Sequence, residues 1–191
     1  GSTISPKLNI DSLSNIKKIE LISLNKNLGS QKSIAIGLKY LQNKNISEII
    51  TIMDSDGEDD PSNIHEMIEE AENNQNYIIT SNRTNRKEKL LFKWLYKIHK
   101  LFTFFFSTHW ISFGNFSSFH SKNLSFILRN NKVWLAYSSA ISINCKIKRV
   151  YAKRMERYFG KSKVNFLSLV LHSLRVLSVL QINVILFSSL Y

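Results

Sequence analysis

Cysteine is almost missing from this 191-residue chain: Cys145 stands alone, which excludes an internal disulfide framework and leaves no cysteine cluster for zinc. A reduced compartment is the default. Only two prolines and six glycines interrupt a sequence that is 43% hydrophobic and 12% aromatic, so disorder is a poor reading and one domain with a real core is expected. No methionine stands at the start, the three being Met53, Met67 and Met155, and nothing near Gly1 has the basic-then-apolar order of a signal peptide. The sequence reads as a fragment or a trimmed chain. An uninterrupted apolar run of membrane-spanning length is also lacking. From Val176 to Tyr191 only sixteen residues remain, broken by Gln181 and Asn183, where a spanning helix needs roughly 20.

Acid is scarce in the second half. Residues 1–81 carry 7 basic and 12 acidic side chains, a balance of −5, whereas residues 82–191 carry 19 and 2, or +17, for a net charge of +12. Nine of the fourteen acids lie between Asp54 and Glu72. This layout points to a cation or polar-ligand site joined to an anion-facing surface, with phosphate, nucleic acid and a membrane surface as candidate partners.

The first half alternates strand and helix. Ile19 to Leu24 reads as a short strand, Ser30 to Leu41 as a helix with Ile34, Leu38 and Leu41 on one face, and Glu48 to Met53 as a buried strand. Asp60 is a natural N-cap and Pro61 a natural first helical residue for a helix with Ile64, Met67, Ile68 and Ala71 on its apolar face. Tyr77 to Thr80 reads as a third strand. Such alternation predicts a parallel sheet with ligands beyond the carboxyl ends of its strands, where the acidic loop DSDGEDD lies.

The second half differs. A basic amphipathic helix is predicted from Arg86 to Phe106, and a short strand or loop around Gly114 to Phe119. The basic segment KIKRVYAKRMERYFGKSK follows, then an apolar tail from Val164 in which Asn165, Ser168, His172 and Arg175 form a polar stripe suited to a membrane interface.

Asp54 and Asp56 form a DxD directly after a buried strand, where two carboxylates share one hard cation; magnesium or manganese is apt because diphosphate oxygens complete its shell. A calcium loop is disfavoured, since Asp59 and His65 occupy the positions that need glycine and glutamate. His65, His99, His109, His120 and His172 make no metal-binding or triad pattern.

Several motifs stand in one order along the chain: NKNLGSQKSIAIGL with Asn27, Gly29, Ala35 and Gly37, the acidic loop, SNRTNRKEKLLFKWLYKI with Arg83 and Arg86, GNFSSF with Asn115, and RMERYFGKSKVNF. Together they resemble the NxG…A…G, DADLQDPPE, paired-arginine, G(D/N)F and RxxRxxGxSKY segments of family-2 glycosyltransferases that charge polyprenyl phosphates. These are the dolichol-phosphate mannose synthase-like and bactoprenol glucosyltransferase-like enzymes. The opening GST resembles the residues after that family's nucleotide-contacting DD pair. The loop departs from the pattern in carrying Glu58 for Gln and Asp60 where relatives often have proline.

The resemblance implies an α/β, GT-A-like, Rossmann-type sheet lacking its first strand, with C-terminal amphipathic interfacial helices. A partial catalytic domain would span residues 1–145, and a basic juxtamembrane segment with an apolar tail residues 146–191. It implies an inverting transfer from a nucleotide-diphosphate sugar to a polyprenyl phosphate, with Mg2+ or Mn2+ as cofactor held by Asp54 and Asp56. The catalytic set would be Asp56, Asn115, Arg83 and Arg86, with the arginines meeting phosphate oxygens. Asn27, Gly29, Asp54 and Asp56 would serve the donor, and Arg154, Arg157, Ser162 and Lys163 the acceptor headgroup. Some relatives carry Asp where Asn115 stands; an amide cannot abstract a proton and only orients a ligand. The glycines within these motifs are expected at turns or close backbone approaches.

The implied location is the cytoplasmic face of the membrane, peripheral or integral through a missing C-terminal segment. The base-contacting DD pair would precede Gly1, which leaves the activity of this form, like homo-oligomerisation, open. A non-catalytic peripheral membrane or scaffold protein is the alternative; nucleic-acid binding has no motif to support it.

Overall fold

A computed structural model describes residues 15–44, 48–84, 101, 113–129, 131–153, 155 and 166–179, with the backbone alone at 83, 84, 153, 166–170, 172 and 177. Its elements in chain order are α1 (Ser30–Asn43), β1 (Ile49–Ile52), α2 (Ile64–Asn73), β2 (Tyr77–Thr84), β3 (Phe113–His120), α3 (Leu124–Arg129), α4 (Tyr137–Asn144), β4 (Lys146–Lys153) and α5 (Phe166–Val179). Single 3-10 turns at Pro61–Asn63, Ser121–Asn123 and Asn131–Trp134 lead into α2, α3 and α4. The helix predicted from Arg86 to Phe106 lies outside the described residues, apart from Leu101.

The four strands form one sheet in the order β1-β3-β2-β4. β3 is antiparallel to both β1 and β2, and β4 is parallel to β2, so β1, β2 and β4 all run one way. The expected all-parallel sheet is therefore corrected to a mixed one. Alternation of strand and helix constrains only the β1-α2-β2 unit; β3 enters from the opposite direction into the space between its two strands.

A second correction concerns Ile19 to Leu24, which forms no strand. Leu21 and Ile22 stay exposed, at 63% and 43%. β-propensity stabilises a strand only when a neighbour pairs with it, and here the segment is tied instead to α1. Tyr40 Oη donates to Glu20 Oε2 at 2.5 Å and Lys44 Nζ lies 3.4 Å from Glu20 Oε1. Lys18, Tyr40 and Lys44 hold the Glu20 carboxyl down at about 2.

Each face of the sheet carries its own core. Cross-strand partners Ile50, Phe119, Ile78 and Ile147 share one face and pack with Ala35 and Leu38 of α1, Leu124 and Ile127 of α3, and Tyr137, Ala140 and Ile141 of α4. The other face sets Ile79, Phe116 and Val150 against Met67 and Ala71 of α2. Period-two alternation along β3 does this sorting: Phe119 and Phe116 take opposite faces. The capping expected at Asp60 forms, its Oδ1 accepting the Ser62 N–H at 2.9 Å, with Pro61 next.

β4 pairs with β2 along all eight residues from Lys146 to Lys153. The segment expected to be juxtamembrane, residues 146–191, supplies the sheet's fourth strand. α5 is also anchored, since Val176 and Val179 join the larger core while Leu171 and Leu174 stay exposed. Among the described residues no helix is long and apolar enough to cross a membrane. Cys145, at the end of α4, is partly buried, and burial pushes its thiol up to about 11, so it is protonated and unreactive near neutral pH.

Two glycines of one motif behave differently. Gly29 caps α1 with φ 79°, whereas Gly37 sits mid-helix with nothing within 4 Å of an added Cβ, so it marks no close approach. Gly29→Ala is expected to destabilise by roughly 1–3 kcal/mol, because φ 79° with ψ 163° is a backbone region essentially confined to glycine, and Gly37→Ala to stabilise by about 0.5–1 kcal/mol. Urea midpoints of the two variants, shifted in opposite directions, are the check.

Candidate active site

Strand register brings the first two site residues together. Ile52 of β1 lies opposite Ser117 of β3. Continuing that antiparallel register by two residues sets Asp54 opposite Asn115, on the same face because side chains repeat with period two. The contact is made: Asn115 Nδ2 donates to Asp54 Oδ1 at 3.4 Å.

The start of α1 joins them. Asn27 Oδ1 accepts the Gly29 N–H at 3.0 Å, and Gly29 turns the chain into the helix. Gln31 in the first turn then reaches β3, its Nε2 donating to Asn115 Oδ1 at 3.2 Å, while its Oε1 accepts the Tyr137 backbone N–H at 2.7 Å. Asn27 and Gly29 thus shape the turn that delivers Gln31.

The acidic loop folds on itself. Asp56 Oδ1 accepts the Glu58 N–H at 3.1 Å, and Asp59, only 3% exposed, accepts the Asp54 N–H on Oδ2 at 3.2 Å. Gly57 between them is buried with φ 83°, a conformation side chains rarely adopt. Five carboxylates stand in the seven residues from Asp54 to Asp60.

Because β1, β2 and β4 are parallel, their carboxyl ends share one edge of the sheet, the edge at which β3 begins. Asp54 and Asp56 follow β1, and Arg83, whose backbone pairs with Ala152, lies near the end of β2. Just past β4 the Met155 N–H donates to Glu58 O at 2.9 Å. Three strand spacings, about 14 Å, separate β1 from β4, so the acidic loop reaches across the end of the sheet to the exit of β4. The side chain of Arg83, and Arg86, Arg154, Arg157, Ser162 and Lys163 altogether, lie outside the described residues.

The family model for glycosyl transferase family 2 matches residues 1–134. The chain belongs to that family. No curated protein and no solved structure matches it. Membership makes the chain a glycosyltransferase by family and implies a nucleotide-sugar donor and an acceptor; the mixed α/β sheet fits a GT-A-like fold. In this family-2 chain the match covers the acidic loop and GNFSSF and stops before α4, β4 and α5.

Among the described residues no group of three or more His, Cys, Asp or Glu is placed to hold a metal. Magnesium asks for less: one or two carboxylates, with water and substrate phosphate oxygens completing its shell. Asp54 and Asp56 fit that donor set. A carboxylate has about four acceptor sites, so the loop hydrogen bonds and a cation are compatible.

Gln31, Ser117, Asp59 and Tyr137 were not legible as site residues. Gln31 lies 84 residues from Asn115 and 106 from Tyr137, and no local pattern marks such pairs.

Proposed function

We propose that this chain is an inverting glycosyltransferase that moves a sugar from a nucleotide-diphosphate donor to a polyprenyl phosphate at the cytoplasmic membrane surface, using Mg2+ or Mn2+ held by Asp54 and Asp56. The observation that carries this reading is the Met155–Glu58 backbone bond, which sets the chain entering the basic segment RMERYFGKSK against the acidic loop. That bond supports a reading in which donor and acceptor chemistry meet at one edge of the sheet.

When bound, the cation supplies positive charge to the departing diphosphate. The chain's own residues do the rest. Asp54 and Asp56 hold the cation, Asn115 orients Asp54, and Arg83 and Arg86 meet phosphate oxygens. Arg154, Arg157, Ser162 and Lys163 receive the acceptor headgroup, whose phosphate is already ionised near neutral pH; that leaves little work for a base, and an amide at Asn115 suffices. Exposed Leu171 and Leu174 beside exposed Arg175 give α5 an apolar and basic outer face suited to a lipid interface, while Val176 and Val179 hold it to the domain.

The test is transfer from a panel of nucleotide-diphosphate sugars to a short-chain polyprenyl phosphate in detergent, with Mg2+ or Mn2+ and with EDTA. Metal-dependent glycolipid formation is expected. No transfer and no donor hydrolysis with any donor would favour the non-catalytic scaffold instead.

A further inference from the structure

Side-chain amides can usually be turned either way, but the one at Gln31 has a fixed sense. The Tyr137 backbone N–H can only donate, so the atom it meets at 2.7 Å is the Gln31 carbonyl oxygen. Nε2 of Gln31 must then donate onward, and it meets Asn115 Oδ1 at 3.2 Å. That in turn directs Asn115 Nδ2 toward Asp54, at 3.4 Å. The result is a one-way chain of donors from the first residue of α4, through α1 and β3, to a carboxylate.

The Asn115 backbone is held by the same tyrosine. Ser117 Oγ donates to Asn115 O at 3.0 Å and so has no second proton to give. Tyr137 Oη, 2.9 Å away, is therefore the donor to Ser117 Oγ. Tyr137 is fully buried and cannot shift easily, and desolvation holds its phenol protonated well above the usual range.

We infer that Gln31 is a positioning residue for the cation site: pinned by Tyr137, it sets the amide of Asn115 so that a donor, never an acceptor, faces Asp54. This rests on the proposed cation-dependent transfer and adds a residue outside the acidic loop. Partners of this kind, one shell beyond the ligands, typically change metal affinity by about 10–100-fold.

Gln31→Glu separates positioning from mere structure. Glutamate keeps the size and still accepts the Tyr137 N–H, but when ionised it offers Asn115 no donor; Asn115 then turns and sets its own oxygen against Asp54. With Mn2+ alone titrated calorimetrically into the full chain, Gln31→Glu should remain folded, melting closer to wild type than Gln31→Leu does, and bind Mn2+ about tenfold more weakly. Gln31→Leu, which strands the Tyr137 N–H, should lower both melting temperature and affinity. A structural role alone would leave the Mn2+ affinity of Gln31→Glu equal to that of wild type, which would overturn the inference.

A metal-free measurement stands beside these. In 15N-labelled wild type the Gln31 Nε2 and Asn115 Nδ2 protons should exchange with solvent more slowly than exposed amides, and in Gln31→Glu the Asn115 pair, turned to donate to the glutamate, should stay protected but change its chemical shift. Exchange at exposed rates in wild type would overturn the relay even if no variant folds. Should wild type bind no Mn2+, the cation-dependent reading falls, while amide exchange still decides the relay.

Discussion

Asp56→Ala is expected to lower the proposed metal-dependent sugar transfer by about 100-fold or more while the protein stays folded. The size follows from the proposed role: one of two carboxylates that would hold the cation facing a departing diphosphate is lost, and deleting a single well-placed electrostatic stabiliser typically costs about 10²–10³ in rate. The structural cost is small. Asp56 Oδ1 accepts the Glu58 N–H in a partly buried turn, a bond worth about 1 kcal/mol. Turnover under saturating Mn2+ and the melting temperature, measured on the same preparation, check both halves. Equal turnover in wild type and Asp56→Ala would remove the cation from the reaction.

The second large effect is on stability. Phe119 is fully buried at the centre of a row in which Ile50 and Ile78 are its cross-strand partners. Phe119→Ala is expected to cost about 3–5 kcal/mol, the sum of lost transfer energy and the cavity left behind. Set against the roughly 5–15 kcal/mol that hold a typical domain together, this is a large share. Asn115 and Ser117 point from the same face of the same strand, so the variant should also weaken Mn2+ binding before it unfolds. Chemical denaturation gives the first quantity; a loss below about 1 kcal/mol would mean that the two-faced core is misplaced.

The chemistry of the acidic loop was legible because it is local. Asp54 and Asp56 follow a β-branched run, and Asp60 with Pro61 announces the next helix; each signal spans a few residues and depends on backbone geometry that those residues impose themselves. The family match, over residues 1–134, covers the motifs from NKNLGSQKSIAIGL to GNFSSF and stops before RMERYFGKSKVNF.

What pairs with what was not local. Ile19 to Leu24 has the composition of a strand, yet strand formation needs a partner, and composition names none. GNFSSF could be read as strand or loop; its insertion between β1 and β2, antiparallel to both, decided that Asn115 meets Asp54 rather than solvent. Gln31 and Ser117 lie inside the segments NKNLGSQKSIAIGL and GNFSSF but were not singled out there, and Tyr137 lay in none, because an amide or hydroxyl becomes a site residue only through what stands opposite it.

The sequence by itself determined the family, the two halves of opposite charge and the carboxylate pair, since composition and short spacings are carried by neighbouring residues. Tertiary structure alone decided the strand order, the assignment of Lys146–Lys153 to the sheet and the hydrogen bond that holds Met155 to the acidic loop. Those contacts join residues far apart in the chain, and their energies exist only once the chain has closed on itself.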